Sequence, residues 1–280
     1  MSAPVSKDLD KDLPPLVAAS FYEPLGDGRF ASTAATAGPW SRGFQHAGPV
    51  SALLGRAFER HEPSPGLRVA RLTMEILRPV PVAPLEVTVR TVRPGRRINL
   101  LEAELSAEDG PVARATAWRI AAAPAHLEPT AHTPVPPPVP AVPTVLGTAW
   151  PGANMAGYLS CIEWRVVEGS FARPGPAAVW ARSRLPLVAG EDDTPLVRAL
   201  TLADSMSGVG SQLDFAKWLI INTDLTVALH RDPEGEWIFM RARVHTDPGG
   251  CAMAEAELAD PSGWFGSGLQ TLLVDAHASG

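Results

Sequence analysis

The sequence predicts an α+β protein made of two tandem units, each with one long helix laid on an antiparallel sheet. Glu-Ala-Glu-Leu occurs at residues 102–105 and again at 255–258, and the same spacing of 153 residues relates Arg78 to Arg231. Each half also shows one helical stripe and four strand-like segments in the same order, with a proline-rich stretch between the halves. A constant spacing between repeated features is typical of duplication, although chance similarity of two amphipathic strands is the alternative.

The sequence of the first half predicts a strand-like segment around Phe21, one helix, and then an antiparallel meander. The helix opens at Gly48-Pro49 and carries an apolar stripe at helical spacing: Val50, Leu53, Leu54, Ala57 and Phe58. Four segments of strand character follow, separated by proline and glycine: residues 67–77, 85–92, 98–106 and 111–121. Because proline and glycine interrupt strands, short turns join these segments.

The second half repeats this order. Residues 162–168 and 177–186 suit strands, and a helix is predicted over 196–206, with Thr194 as N-cap and Pro195 at its first position. Gly208 and Gly210 are expected to end that helix. Four strand segments complete the half: residues 219–229, 237–245, 251–258 and 265–274.

Composition and proline content define the domain boundaries. With 280 residues, 45% hydrophobic and 19% charged, the chain can bury a substantial core. We expect a flexible leader at 1–14, an N-terminal unit at 15–123, a proline-rich linker at 124–143 and a C-terminal unit at 144–280. Proline favours extended geometry and donates no backbone hydrogen bond, which suits a semi-rigid connector. A proline-rich partner-binding motif is the alternative.

The charge balance gives no electrostatic footprint for nucleic acid. The formal net charge is −6 and the isoelectric point is about 5.7, whereas nucleic-acid-binding domains are usually basic. One basic cluster surrounds Pro94-Gly95: Arg90, Arg93, Arg96 and Arg97. Its position at a hairpin fits either a solvated turn or a contact to ligand phosphates.

Cysteine usage and hydropathy predict a cytoplasmic protein with no membrane span. Cys161 and Cys251 are too few for a disulfide framework, and neither they nor the seven scattered histidines have metal-ligand spacing. The N-terminus lacks the apolar core of a secretory signal, and no apolar run reaches the roughly 18 residues that span a bilayer. Because the cysteines and histidines lack metal-ligand spacing, we expect no metal, and we expect no cofactor.

Five segments carry a resemblance to a known family: FQHAGPVSALL, LTMEILRPVP, LADSMSG, NTDLTVALHR and GLQTLLV. Over residues 15–277 the chain resembles the double-hotdog acyl-CoA thioesterases, the type II family that hydrolyses fatty acyl-CoA. In a hotdog unit a strongly curved antiparallel sheet wraps one long helix. The resemblance implies a double hotdog, an acyl-CoA substrate, a role in fatty acid metabolism, and assembly into a homodimer or higher homo-oligomer.

The resemblance also implies a catalytic triad of Asp204, Thr223 and Gln270 around one water. A thioester carbonyl is electrophilic enough for water to attack it directly when a carboxylate polarises the water and neutral side chains hold it. Asp204 shares a helical stripe with Val197 and Leu200, which turns it toward the sheet, where an unpaired carboxylate is costly. The alternative is a partly exposed aspartate at a fraying helix end.

Strand alternation places Thr223 on the inward face with Leu225 and Val227, although a threonine bonded to a nearby carbonyl is an equally good interpretation. The facing of Gln270 is ambiguous, and without the resemblance it is a structural residue. The glycine-rich strand around Gly268 could let acyl-CoA approach closely. At the spacing of 153, the first half has Ser51 in place of Asp204, Ala70 in place of Thr223 and Ala117 in place of Gln270. No triad residue is repeated, so the chemistry is predicted in the second half.

The first half is expected to contribute substrate contacts at the helix start, where Gln45, His46 and Gly48 form a donor-rich terminus suited to a carbonyl or an anion. A plain helix cap explains them equally well. Nucleophile-elbow, phosphate-loop and dinucleotide motifs are missing from the sequence. Two rival functions remain, a non-catalytic acyl-CoA-binding or lipid-binding protein and a hotdog enoyl-CoA hydratase or dehydratase. The Asp/His motif that hydratases carry at a helix entry is not evident in the sequence.

Overall fold

The computed structural model describes residues 13–62, 66–128, 135–146 and 153–276. Most of the predicted leader, residues 129–134 of the predicted linker and the last four residues lie outside this part of the chain. None of the helices in the described ranges is long and apolar enough to cross a membrane.

The described residues of the first half contain one α-helix, a short 3-10 helix (Ala34–Thr36) and eight strands. Their order is β1 (Tyr22–Gly26), β2 (Arg29–Ser32), the 3-10 helix, β3 (Ala37–Gly38), β4 (Ser41–Gln45), α1 (Ala47–Arg60), β5 (Leu67–Ile76), β6 (Pro84–Arg93), β7 (Ile98–Ala107) and β8 (Gly110–Ala121). The predicted helix and the four strands that follow it are confirmed, with bounds that differ by at most two residues. The sequence did not predict the short strands β1 to β4 as separate elements.

The second half continues with α2 (Tyr158–Cys161), β9 (Ile162–Glu168), β10 (Ala177–Ser183), α3 (Pro195–Ala203), α4 (Met206–Val209), β11 (Trp218–Asn222), β12 (Asp224–Leu229), β13 (Ile238–Thr246), β14 (Cys251–Asp260) and β15 (Gly263–Ala276). Thr194 caps α3 by accepting a hydrogen bond from the Val197 backbone N–H at 3.2 Å, and Pro195 occupies the first turn, as predicted.

The predicted single helix over 196–206 is wrong, because α3 ends at Ala203. Asp204 and Ser205 form a tight turn, in which the Ser205 N–H donates to the Leu202 carbonyl at 3.0 Å. Such a bond across three residues narrows the last turn of a helix. The described residues of the second half therefore contain no long helix, and Asp204 is the C-cap of α3 instead of an interior helical residue.

Thirteen of the strands in the described ranges form one antiparallel sheet. Its strand order is β1-β2-β6-β7-β8-β5-β12-β15-β14-β13-β10-β9, with β11 beside β15. The order is symmetrical about the central β5–β12 pair, in which Thr73 is in register with Thr226. The hydroxyl of Thr226 donates to that of Thr73 at 3.1 Å, and these two residues are 153 positions apart.

Helices α1 and α3 lie against each other and pack on strands of this sheet. Small residues on α1 permit the approach, since Ser51 donates to the Leu200 carbonyl at 3.1 Å and a Cβ on Gly55 would lie 2.3 Å from the Leu200 side chain. Leu53, Leu54 and Phe58 of α1 are fully buried in the core. This close crossing brings the start of α1 to the end of α3.

Residues 135–146, which include the second described stretch of the proline-rich segment, pack against β9 and β10. The indole N–H of Trp180 donates to the Pro137 carbonyl at 2.9 Å, and the Thr144 N–H donates to the Trp164 carbonyl at 2.7 Å. Arg165 binds the carbonyls of Pro140 and Ala141. This part of the predicted linker is consequently anchored to the second half.

Candidate active site

A cavity of about 440 Å³ opens where the two halves meet. Its wall is built by the end of β4, the start of α1, the loop after β5, the turn between α3 and α4, and β11. Most of its lining is apolar and aromatic, including Trp40, Phe44, Trp164, Phe171, Phe215 and Ile221. Cavities of this kind, with a few convergent polar groups, are typical of small-molecule sites.

Asp204 is one of the few charged residues in the cavity wall, and only 4% of its surface is exposed. Two side-chain amides hold one carboxylate oxygen. Asn222 Nδ2 donates to Asp204 Oδ1 at 2.8 Å, and Gln270 Nε2 donates to the same oxygen at 2.7 Å and to the Asp204 carbonyl at 3.1 Å. The carboxylate is therefore fixed from the sheet side, where β11 and β15 supply the amides.

The other carboxylate oxygen faces the start of α1. Asp204 Oδ2 lies 3.1 Å from His46 Nδ1, which accepts a hydrogen bond from the Gly48 N–H at 3.1 Å, and the backbone N–H groups of Ala47 and Gly48 help to lower the pKa of the carboxyl group. Free N–H groups at a helix N-terminus carry partial positive charge, which stabilises an anion there. The second half thus supplies the acid, and the first half supplies a helix terminus that receives it.

Burial dominates the electrostatics of this pair. It raises the pKa of Asp204 to about 7, although the hydrogen bonds from Asn222, Gln270 and the α1 backbone work in the opposite direction. Burial also lowers the pKa of His46 to about 3, which keeps the imidazole neutral. Near neutral pH the site therefore holds a neutral histidine beside a carboxyl group close to its titration point, a condition suited to general base catalysis.

Tyr158 fixes the His46 ring. The two rings stack with centroids 3.8 Å apart and an interplanar angle of 9°. The Tyr158 hydroxyl donates to the Thr201 carbonyl at 2.8 Å and lies 2.8 Å from Ser205 Oγ. Because Thr201 belongs to α3 and Ser205 follows it, Tyr158 ties the imidazole to the same segment that carries Asp204.

The structure brings together Asp204 and Gln270 of the predicted triad but leaves Thr223 apart. Thr223 is exposed at the cavity edge, and its hydroxyl is 3.3 Å from the Thr271 carbonyl. The predicted inward facing is wrong because the alternation does not continue from β11 into β12. Ile220 is buried in β11 and Leu225 in β12, so the buried parity changes between them.

The predicted substrate contacts have structural partners of their own. Gln45 lines the cavity, but its amide is engaged by the Tyr22 hydroxyl at 2.7 Å and the Pro81 carbonyl at 2.6 Å. Gly268 is not among the residues that line this cavity. A Cβ there would lie 2.2 Å from Met206 Cε, so Gly268 packs against Met206, and its contact with substrate stays a prediction.

Two family models match the chain. A model described as the acyl-CoA thioesterase C-terminal domain covers residues 131–274, and the corresponding N-terminal domain covers residues 36–120. The chain belongs to this acyl-CoA thioesterase family. No sequence match to a curated protein is found.

Solved structures agree with this thioesterase family in fold. A protein of unknown function with a hot dog fold from Alicyclobacillus acidocaldarius is 19% identical, covers 98% of this chain and 100% of its own, and has a TM-score of 0.70. The tesB protein of Mycobacterium avium subspecies paratuberculosis is 18% identical (91% and 96%, TM-score 0.64). Acyl-CoA thioesterase II TesB2 of Mycobacterium marinum is 15% identical (92% and 96%, TM-score 0.63). These likenesses show that this thioesterase-family chain has the hotdog fold.

Asn222 and Tyr158 are site residues that the sequence did not reveal. Asn222 was assigned to the outward face of a continuous strand, and Tyr158 lies in a segment without clear periodicity. A polar amide among Leu219, Ile220 and Ile221 was the available signal for Asn222, since an isolated polar residue in an apolar strand needs a partner. No comparable signal marked Tyr158.

The arginine cluster lies far from the cavity of this thioesterase-family protein. The Ala121 N–H donates to the Arg97 carbonyl at 2.8 Å, and Ala121 is in register with Leu67 at the start of β5. Ile76 at the other end of β5 lines the cavity. At about 3.3 Å per residue, the hairpin is about 30 Å from the site, which favours the solvated-turn interpretation.

Proposed function

We propose that this protein hydrolyses the thioester of acyl-CoA to a free acid and coenzyme A. The observation that carries the proposal is a buried carboxylate, Asp204, held in the wall of an apolar cavity by amides from two strands. Family membership supports the substrate class. The two tandem hotdog units that we propose for the fold account for the position of this cavity between the halves.

In the proposed reaction the acyl chain lies in the apolar cavity and water attacks the thioester carbon. The water oxygen bonds to that carbon, the carbon–sulfur bond breaks, and coenzyme A leaves as the thiol with one of the water protons. Asp204 is the acid residue on which activation of the water depends. Gln270 and Asn222 hold its carboxylate in place, whereas the sequence assigned Gln270 and Thr223 to hold the water.

A panel of acyl-CoAs that differ in chain length and branching tests this proposal by release of free thiol. Asp204→Asn should lower kcat by about a hundredfold or more, which is typical of removing a general base. Asp109→Asn, at an exposed hairpin, is the matched control and should retain wild-type turnover. Full activity of Asp204→Asn would remove Asp204 from the mechanism.

The contact between His46 and Asp204 also favours a second candidate, addition of water to an enoyl-CoA. His46 stands at the entry to α1 and is paired with Asp204 from the other half. The sequence did not reveal this pair, because the two residues are 158 positions apart. The same assay separates the candidates, since hydration consumes the enoyl double bond and releases no thiol. Tight binding of acyl-CoA with neither reaction would indicate a non-catalytic binding protein.

A further inference from the structure

Protein groups already surround both oxygens of the Asp204 carboxylate. Oδ1 accepts from Asn222 and Gln270, while Oδ2 lies 3.1 Å from His46 Nδ1, and the first backbone N–H groups of α1 help to lower the pKa of the carboxyl group. An ionised carboxylate offers about four acceptor positions. A reacting water would have to displace one of these donors to reach Asp204 directly.

His46, in contrast, presents an unused nitrogen to the cavity. Its Nδ1 faces Asp204, and Nε2 has no hydrogen-bond partner in the described part of the chain. In that part of the chain, the buried side-chain nitrogen and oxygen atoms that lack a partner are Arg198 Nε and Gln270 Oε1. Because His46 Nε2 also lacks a partner but is not one of these buried atoms, it is accessible. Since His46 lines the cavity and is 13% exposed, the cavity is where Nε2 is reached.

The position of the ring proton follows from the neighbours of Nδ1. The Gly48 N–H donates to Nδ1 at 3.1 Å, and Asp204 Oδ2 lies 3.1 Å from the same nitrogen. One ring nitrogen cannot accept from Gly48 and donate to Asp204 in the same state. When Asp204 is ionised it competes with Gly48 for Nδ1 and favours a proton there, because hydrogen bonds to an ionised carboxylate are roughly twice as strong as neutral ones, and the lone pair is then on Nε2.

Two anchors hold the imidazole in this orientation. Its backbone is the N-cap of α1, and its face is stacked on Tyr158, whose hydroxyl is fixed to the α3 carbonyl of Thr201. A ring held on one face and at one nitrogen has little freedom to turn. Preorganisation of this kind is what a proton-accepting group needs in order to contribute to catalysis.

We propose that His46 Nε2 removes the proton from the reacting water and that Asp204 acts on the water through His46, an inference that rests on the proposed thioesterase activity. The water oxygen bonds to the acyl carbon as its proton passes to Nε2. The imidazolium formed is stabilised by Asp204 through the Nδ1–H hydrogen bond. When the carbon–sulfur bond breaks, Nε2–H gives that proton to the departing thiolate, and His46 is neutral again.

Two substitutions at position 46 separate a catalytic histidine from a helix cap. Asparagine is among the best N-cap residues, so His46→Asn should preserve α1 while it removes Nε2. We expect kcat for acyl-CoA hydrolysis to fall about a hundredfold or more in both His46→Asn and His46→Ala, with KM changed less than threefold. Added imidazole should raise the kcat of His46→Ala at least tenfold.

His245→Ala is the matched control, because His245 is exposed on β13. It should retain the wild-type kcat and show no response to imidazole. If His46→Asn retains kcat within threefold of wild type, His46 is a cap only and the inference is overturned.

A measurement without turnover separates this inference from the proposed function. Nitrogen-15 NMR of the histidine side chains at pH 8 should show His46 with a proton on Nδ1 and none on Nε2, and Asp204→Asn should change that pattern. A proton on Nε2 at pH 8 would overturn the inference. If no acyl-CoA in the panel releases thiol, the proposed hydrolysis fails, while the NMR result still decides the state of His46.

Discussion

Gly48 on α1 lies so close to Thr201 on α3 that a Cβ at position 48 would be 2.3 Å from the Thr201 carbonyl oxygen. That oxygen belongs to the backbone of a packed helix and also accepts a hydrogen bond from the Tyr158 hydroxyl. The approach sets the distance between the two ends of the site, since His46 precedes Gly48 and Asp204 follows Thr201. Glycine at position 48 therefore serves the geometry of the site through packing.

Gly48→Ala should lower both stability and activity. Relief of the clash must separate α1 from α3, and overpacking of this kind costs about 1–3 kcal/mol. We expect a lower Tm and a reduced kcat, because the movement also separates His46 from Asp204. Gly43→Ala is the control, since a Cβ there would meet only Ser41 Oγ at an ordinary 3.7 Å. Equal Tm values for the two variants would contradict the packing argument.

The strands and α1 were predictable because their signals are local. Alternation and apolar spacing located β5 to β8 and β13 to β15 within a few residues, and Thr194-Pro195 located the start of α3. The break at Thr223 was not predictable, because apolar residues continue through it and its cause lies in neighbouring strands. The Ile76 N–H donates to the Thr223 carbonyl at 2.8 Å, and the Thr223 N–H donates to the Thr271 carbonyl at 3.0 Å.

Asn222→Leu should lower kcat, whereas Thr223→Val should leave it nearly unchanged. Loss of the Asn222 amide removes a 2.8 Å hydrogen bond to the buried Asp204 carboxylate, and hydrogen bonds to charged groups contribute about 1.5–3 kcal/mol. We expect kcat for acyl-CoA hydrolysis to fall at least tenfold in Asn222→Leu. Thr223→Val, at an exposed position, should leave kcat within about threefold. A large loss in Thr223→Val alone would restore Thr223 to the site.

The pairing of His46 with Asp204 was beyond the sequence for another reason. The pattern placed His46 at a helix start and Asp204 on a helical stripe, but the two residues are 158 positions apart, and the strands β5 to β10 lie between them in the sequence. Their contact depends on how α1 crosses α3, which is decided by Gly48, Ser51 and Gly55 against α3. A pair of this kind follows from tertiary packing, so no characteristic spacing in the sequence predicts it.

Stability should depend on pH differently in the single variants of this pair. Burial raises the pKa of Asp204 to about 7, so its contribution to stability is present below its ordinary pKa of 3.8 and is lost as the pH rises toward 7. Burial lowers the pKa of His46 to about 3, so its contribution is present above 6.5 and is lost as the pH falls toward 3. In the wild-type protein the two effects oppose each other between about pH 4 and 6.5.

Each variant should expose one of these effects. In His46→Asn only Asp204 remains, and the free energy of unfolding should fall by about 1.4 kcal/mol for each pH unit between about 4 and 7. In Asp204→Asn only His46 remains, and stability should fall by a similar slope on acidification below 6.5. Urea unfolding at a series of pH values measures both slopes. Parallel curves for the two variants would show that the carboxyl and the imidazole are not buried as described.

The pH dependence of turnover should report the carboxyl group of the site. Since Asp204 must be ionised to stabilise an imidazolium or to accept a proton, kcat/KM should rise about tenfold per pH unit below about 7 and level off above it. The Gln270 amide lowers the pKa of Asp204 by its hydrogen bond at 2.7 Å. Gln270→Leu should therefore move the rise to higher pH by about one to two units, given about 1.5–3 kcal/mol for a hydrogen bond to a charged group. A rise that stays at the same pH in Gln270→Leu would assign the titration to another group.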